Sequence, residues 1–541
     1  MRLLNRSAVV LALGALALVP GCGAPSPPPE GTPRLVVLIV VDQMRYDYLE
    51  RFGPLFTGGL RRLMDESVSF TDAHHDHAVT TTAPGHASLA TGLHPSRHGI
   101  VDNSWFDGEE GDWVYSVEDS GDGRSPRRLL APTLGDWMKR ASWRSRVFAA
   151  SGKDRSAILL AGRRADGAFW FDREEGGFTS SDFYPAEPRW LAQLNARQPA
   201  DEAFGEPWEP LPETAAVLAE PQRASAFGIE DLPRGLFPRS FPHVAGRYSF
   251  APEEAFYDAL YDTPVVDLLL ARLAVTLLEA EGLGSDAYPD LLALSFSAVD
   301  SVGHAYGPNG PELLDALLRL DAALGEVLAA IDRWVGLGRA VVVLSADHGV
   351  VPFPEYRQLH GLPGRRADAE LLLCVQRVGR RLADRLGERR WLTPYGTADE
   401  EALAASGRTR REVEEAAREE LEACPGIERV WTRSELESGG AAADPMGRLF
   451  AHSFYPGRSP DLFIQVEEYF LPRRLDGTTH GSPWPYDTHV PWLLRLPGGG
   501  RGEVAERVAT VDVAPTLAAL IATTPPAGLD GEDRSALLPS R

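Results

Sequence analysis

Three stretches of the chain are continuous apolar runs rich in β-branched and aliphatic residues: Leu35–Val41 (LVVLIVV), Leu291–Ser297 (LLALSFS) and Ala340–Ser345 (AVVVLS). They largely lack the polar alternation of a strand with one wet face, so they read as strands buried on both faces of a parallel sheet. Between the second and third lies Pro311–Trp334, whose leucines and alanines recur at three- and four-residue spacing, the period of an amphipathic helix. The alternation predicts an α/β fold with a doubly wound, mostly parallel sheet. In such sheets ligands bind beyond the carboxyl ends of the strands. There the three runs are followed by Asp42, by Asp300, and by Asp347 with His348.

Two regions break the pattern. Residues 169–290 are rich in Pro, Trp, Phe and Gly, with an apolar helix near Val265–Glu281, and residues 371–449 carry the charged run Arg410–Ala423. Both read as insertions that cap a core made of residues 34–168, 291–370 and 450–541. The charged run reads as a solvated helix.

The N-terminus has Arg2 and Arg6 ahead of a short apolar stretch, Ala8–Val19, too short for an ordinary membrane span. It reads as a signal peptide over residues 1–21. Gly21-Cys22 resembles a bacterial lipobox with an unusual Pro20, which makes lipidated Cys22 the expected membrane tether and plain secretion the alternative. Residues 22–33 read as a flexible Pro/Gly/Ser tether. The expected location is the periplasm or outer membrane. Cys374 and Cys424 remain, and an oxidising compartment permits their pairing without requiring it.

Composition narrows the chemistry. With 54 basic and 77 acidic residues the net charge is −23, which argues against nucleic acid as a partner but not against a small anionic substrate held by metal ions. Lys139 and Lys153 are the only lysines among those 54 basic residues.

The candidate metal ligands are Asp42, Asp300, His304, Asp347, His348 and His480. Asp300 and His304 stand four apart in D-S-V-G-H, on one face of a helical turn. Asp347 and His348 are adjacent, so their side chains are expected to diverge toward neighbouring ions. Oxygen and imidazole ligands without thiolates suit Zn²⁺ or Mn²⁺. Thr82 opens T-A-P-G-H, which reads as a turn into a helix start, where amides favour an anion and a hydroxyl beside a metal can attack phosphorus. An N-cap is the plainer role for Thr82 alone.

Taken together, VVDQMRYDYL, TAPGHASLATG, HGIVDN, SGKDRSA, DSVGH, ADHG and HGSPWPYDTHVP resemble the alkaline phosphatase superfamily. The pattern is most similar to its threonine-nucleophile, phosphate-irrepressible periplasmic phosphatases, which share a core with type I phosphodiesterases/nucleotide pyrophosphatases. The resemblance implies two zinc ions, with Mn²⁺ the second choice. One would be held by Asp300, His304 and His480, the other by Asp42, Asp347, His348 and the nucleophile Thr82. His489 competes with His480 and is expected to support the site instead. His86 and His98 are expected to be structural, and His74, His75 and His77 to be loop histidines on the rim.

The resemblance also assigns Lys153, Arg155 and Asn103 to the non-bridging phosphoryl oxygens. Lys153 and Arg155, alternate residues of an extended segment, would project the same way. Two extra cations favour a monoester over a diester. The expected reaction is therefore metal-dependent hydrolysis of small-molecule phosphate monoesters through a phosphothreonine, releasing inorganic phosphate. A phosphodiesterase on the same core is the near alternative, and a non-catalytic lipid-anchored binding protein the remote one. A sulfatase is disfavoured because Thr82 is followed by Pro84 and His86 rather than the formylglycine pattern. The sequence leaves the oligomeric state open.

Overall fold

The computed structural model describes residues 27–121, 123–229, 241–247, 249–472 and 477–539. The leader and Cys22 lie outside the described residues. Among those described, no helix is long and apolar enough to cross a membrane.

A nine-stranded sheet organises the chain. Its strands are β1 Leu35–Val41, β2 Val68–Phe70, β3 Val147–Ser151, β4 Gly167–Phe171, β5 Phe178–Thr179, β6 Asp290–Phe296, β7 Ala340–Ser345, β8 Trp492–Arg495 and β9 Gly502–Val504. They lie in the order β9-β2-β8-β7-β1-β6-β3-β4-β5. The centre is parallel: β1 pairs with both β6 and β7, and β3 joins β6 to β4. Only β8 and β5 run against their neighbours.

Alternate residues of β1 face two separate apolar layers, which is why the run has no polar alternation. Leu35, Val37, Ile39 and Val41 join a cluster with helices α3 Val265–Ala280 and α5 Pro311–Trp334. Val36, Leu38 and Val40 join the cluster under α1 Thr82–Thr91 and α2 Asp154–Ala161. The sheet is doubly wound, as the strand grammar predicts.

The insertions are smaller or longer than expected. The segment 169–290 begins inside β4 and also supplies β5, and its apolar helix α3 packs on the sheet, so these parts of it belong to the core rather than to a cap. The second unit runs past residue 449. Its strand Leu462–Val466 pairs with Ile427–Thr432, and Leu462 joins a small core with Val378, Leu382, Val413 and Val430. A Cys374–Cys424 disulfide fastens this unit. The charged helix Arg410–Glu422 buries Val413, Ala416, Ala417 and Leu421, so only its outer face is solvated.

Candidate active site

Stretches far apart in sequence meet at the carboxyl edge of the sheet. Asp42 follows β1, and Asp347 with His348 follows β7. Asp300 and His304 lie in helix α4 Ala298–Tyr306, which starts directly after β6. Thr82 is the first residue of α1, Lys153 is the N-cap of α2, and Arg155 sits in the first turn of α2. Asn103 precedes the strand Ser104–Asp107, and His480 comes from the loop before the short helix Pro485–Thr488.

The expected ligands form two adjoining sets. Asp300 Oδ1 lies 3.2 Å from His304 Nε2 and 3.8 Å from His480 Nε2. His348 Nε2 lies 3.4 Å from Asp42 Oδ1 and 3.4 Å from Asp347 Oδ2. The sets touch where His348 stacks on His480, with ring centroids 3.5 Å apart. The ligand atoms of Asp42, Asp347 and His348 fall within 4.8 Å of one another, as do those of Asp300, His348 and His480. Asp347 and His348 therefore converge rather than diverge, because the chain bends sharply after β7.

The donor set fits divalent cations. His304, His348 and His480 each place Nδ1 against a backbone carbonyl, those of Thr478 (2.8 Å), Gly349 (3.0 Å) and Thr80 (2.8 Å). A carbonyl can only accept, so each Nδ1 carries the proton and Nε2 turns toward the carboxylates. Asp42 Oδ1, Asp347 Oδ2 and His348 Nε2 are buried with no hydrogen-bond partner among the described residues. Orphaned buried polar atoms cost about 1–3 kcal/mol each, a cost a bound cation removes. Burial, then the charge of Asp347, pushes the Asp42 carboxyl well above the usual range, with Lys153 offsetting only part. Burial acts the same way on Asp300, but Lys153 and His304 outweigh it and hold that group well below.

Two cations close the site. Lys153 Nζ donates to Asp42 Oδ2 at 2.5 Å and to Asp300 Oδ2 at 2.6 Å, so it joins one carboxylate from each set. Burial alone would lower its pKa, but Asp300 and Asp42 raise it, and the ammonium stays charged. Arg155 Nη2 lies 3.5 Å from Thr82 Oγ1, while Nη1 donates to Tyr115 Oη at 3.3 Å. Lys153 and Arg155 do not share one extended segment: Lys153 is the extended N-cap of the helix Asp154–Ala161, and Arg155 reaches the site from the helix's first turn. An open cleft of about 950 Å³, bounded by Tyr115, Gly152, Lys153, Arg155 and Tyr261, gives access.

The helix start leaves Thr82 without a capping duty. The N-cap is Thr81, whose Oγ1 donates to Asp102 Oδ1 at 2.9 Å. The Ala83 amide donates to Asn103 Oδ1 at 2.8 Å, which identifies Nδ2 as the donor end of that side chain. A Cβ on Gly85 would stand 2.2 Å from the Asp347 carbonyl oxygen, so only glycine lets α1 come this close to the loop after β7.

The other histidines sort cleanly. His86 Nδ1 donates to the Thr82 carbonyl at 2.8 Å and its Nε2 meets Ser295 Oγ at 2.8 Å; His98 meets Ser88 Oγ and the Ile100 amide. His489 stacks between Tyr46 and His74, both at 4.5 Å, away from Asp300. His74, His75 and His77 are buried rather than on the rim, because Ala73–His74 pairs with Val508–Ala509 and His75 binds the Ala346 carbonyl. Sequence reasoning missed Gln43, whose signal is a polar residue directly after a strand-end carboxylate. It also missed Tyr115, which carries no signal of its own.

The family model of type I phosphodiesterase / nucleotide pyrophosphatase matches residues 36–489. The chain is 32% identical over 519 residues to the alkaline phosphatase PhoV of Synechococcus elongatus, spanning 92% of each chain. It is 30% identical over 543 residues to the alkaline phosphatase PafA of Elizabethkingia meningoseptica, spanning 96% of this chain and 97% of PafA. The crystal structure of wild-type PafA superposes with a TM-score of 0.81 at 29% identity, covering 93% of this chain and 98% of that one. A PafA variant substituted at a threonine, an asparagine, a lysine and an arginine gives a TM-score of 0.84 at 28% identity, covering 93% and 99%.

Proposed function

The chain belongs to the type I phosphodiesterase / nucleotide pyrophosphatase family, and on that premise we propose that it is an alkaline phosphatase. It hydrolyses small-molecule phosphate monoesters and releases inorganic phosphate. The observation that carries this reading is the pair of cations at the nucleophile. Arg155 reaches Thr82 Oγ1, and Lys153 stands between Asp42 and Asp300. A monoester's phosphoryl group carries one more ionised oxygen than a diester's, so it gains more from two cations. The PafA variant adds support: its substituted threonine and asparagine are 21 residues apart and its lysine and arginine 2 apart, the separations of Thr82 from Asn103 and of Lys153 from Arg155.

Asp300, His304 and His480 would hold one zinc ion, and Asp42, Asp347, His348 and Thr82 another. When bound, such ions supply Lewis acidity that lowers the pKa of a hydroxyl and positive charge against a dianionic substrate. Thr82 Oγ1 attacks phosphorus and gives up its proton, the ester P–O bond breaks, and the leaving alkoxide departs and is protonated. Water then cleaves the phosphothreonine and restores the hydroxyl. Arg155, Lys153 and the Nδ2 of Asn103 hold the equatorial oxygens, where charge-assisted hydrogen bonds are strongest. An enzyme that removes a barrier on the order of 20 kcal/mol needs that electrostatic complement.

The leader reading extends the proposal to an exported protein, periplasmic or tethered to the outer membrane through Cys22. The mass of the mature N-terminus checks it. The activity is tested by comparing kcat/KM for an aryl phosphate and a bis-aryl phosphate on zinc-loaded protein. A preference for the monoester is expected, and a preference for the diester makes the chain a phosphodiesterase instead.

A further inference from the structure

We propose that Gln43 is the positioning residue that sets the two ligand sets at a fixed spacing, with Gly303 as its seat. The inference rests on the reading that Asp300 and Asp347 belong to two adjoining metal-ligand sets.

Gln43 is fully buried and left-handed, with φ 68°, a conformation non-glycine residues seldom adopt. That turn gives the residue two simultaneous contacts. Its backbone N–H donates to Asp347 Oδ1 at 3.1 Å, and its side-chain Nε2 donates to Asp300 Oδ1 at 2.6 Å. One residue, next in sequence to Asp42, thus grips one carboxylate of each set. With Oδ1 of Asp347 taken, Oδ2 is the oxygen left facing His348, and it is among the atoms without a partner. Strained backbone concentrates where a function needs a fixed geometry, and outer partners of metal ligands fix the ligand's orientation.

The amide is held by shape as well. A Cβ on Gly303 would lie 1.9 Å from Gln43 Oε1. This accounts for the glycine between Asp300 and His304 in D-S-V-G-H: the helix must leave room there for the amide that orients its own carboxylate.

Two substitutions approach the same contact from opposite sides. Gln43→Met keeps the volume and removes the donor. Gly303→Ala keeps Gln43 but pushes its amide off Asp300, and alanine favours the helix it sits in. Wild type and variants are loaded with Zn²⁺, challenged with EDTA, and followed by zinc content against time and by thermal melting of the metal-stripped proteins. We expect two zinc equivalents in wild type, and in each single variant loss of zinc about 10- to 100-fold faster, the usual consequence of deleting an outer partner. The metal-stripped melting points should stay close to wild type. The double variant should be no worse than the weaker single variant, because both act through one contact. Variants that keep zinc as long as wild type, or losses that add in the double variant, overturn the role of Gln43. Should Gln43→Met not fold, Gly303→Ala decides by the same measure. A wild-type protein that takes up no zinc overturns the metal reading itself, a result distinct from zinc-loaded variants that match a zinc-loaded wild type.

Discussion

Lys153 Nζ lies 2.6 Å from Asp300 Oδ2, so the ammonium expected to meet a phosphoryl oxygen is anchored by a carboxylate proposed as a metal ligand. Removing it deletes a charge-assisted hydrogen bond of about 1.5–3 kcal/mol, roughly 10- to 150-fold in monoester kcat/KM. A diester should lose less. Lys153→Ala with Arg155→Ala should therefore shift preference toward diesters, with losses that need not add. Both rates are measured on protein of known zinc content. Equal losses on both substrates with zinc retained would remove the main support for a monoesterase.

Thr82→Ala should lower turnover at least about a thousandfold, the scale of losing a nucleophile. Asp42, Asp347 and His348 remain, and the cap is Thr81, so zinc content and the circular dichroism spectrum should hold. Near-wild-type turnover would take the nucleophile away from Thr82.

His480→Ala should cost zinc and activity, whereas His489→Ala should keep zinc and lower the melting temperature. His480 Nε2 faces Asp300, while His489 is packed between two rings with Nε2 on the Thr71 carbonyl. Zinc analysis of both variants settles it, and the reverse order would exchange the two roles.

Asp267 supports the site through pH-dependent stability. Its Oδ1 accepts from the Ser297 and Ala298 amides at the start of α4, at 2.8 and 3.1 Å. Burial pushes its pKa from 3.8 up to about 7. A carboxyl raised this way contributes fully below about pH 3.8, and the contribution is lost as the pH rises through about 7. Asp267→Asn keeps the acceptor and cannot ionise. Its stability relative to wild type should therefore grow between pH 5 and pH 8, by a few kcal/mol at most at about 1.36 kcal/mol per unit. Urea midpoints at both pH values measure this, and a constant difference contradicts it.

The central strands were legible because burial on both faces writes an unbroken apolar run, and the i,i+4 pair Asp300/His304 because helical periodicity is local. The first turn of α2 was not: SGKDRSA reads as extended, and it is the packing of the apolar stretch after Arg155 on the sheet that makes Asp154–Ala161 a helix. The insertion boundaries were hidden for a similar reason. Short strands such as Phe178–Thr179 and the pairing of Leu462–Val466 with Ile427–Thr432 depend on partners far along the chain. Gln43 was not legible as a site residue: its place directly after Asp42 is a weak local signal, and its two contacts lie 257 and 304 residues away.

The order in which the ligands occur along the chain has a consequence for its biosynthesis. Asp42 and Thr82 leave the ribosome first, Asp300 to His348 much later, and His480 last of all. No nascent or truncated chain short of His480 would hold the full complement of proposed ligands, although most of the sheet's strands precede it. On the proposed ligand assignment, ion capture would wait until the chain is nearly complete, and the free energy of binding would stabilise finished molecules over fragments that could otherwise pair strands prematurely.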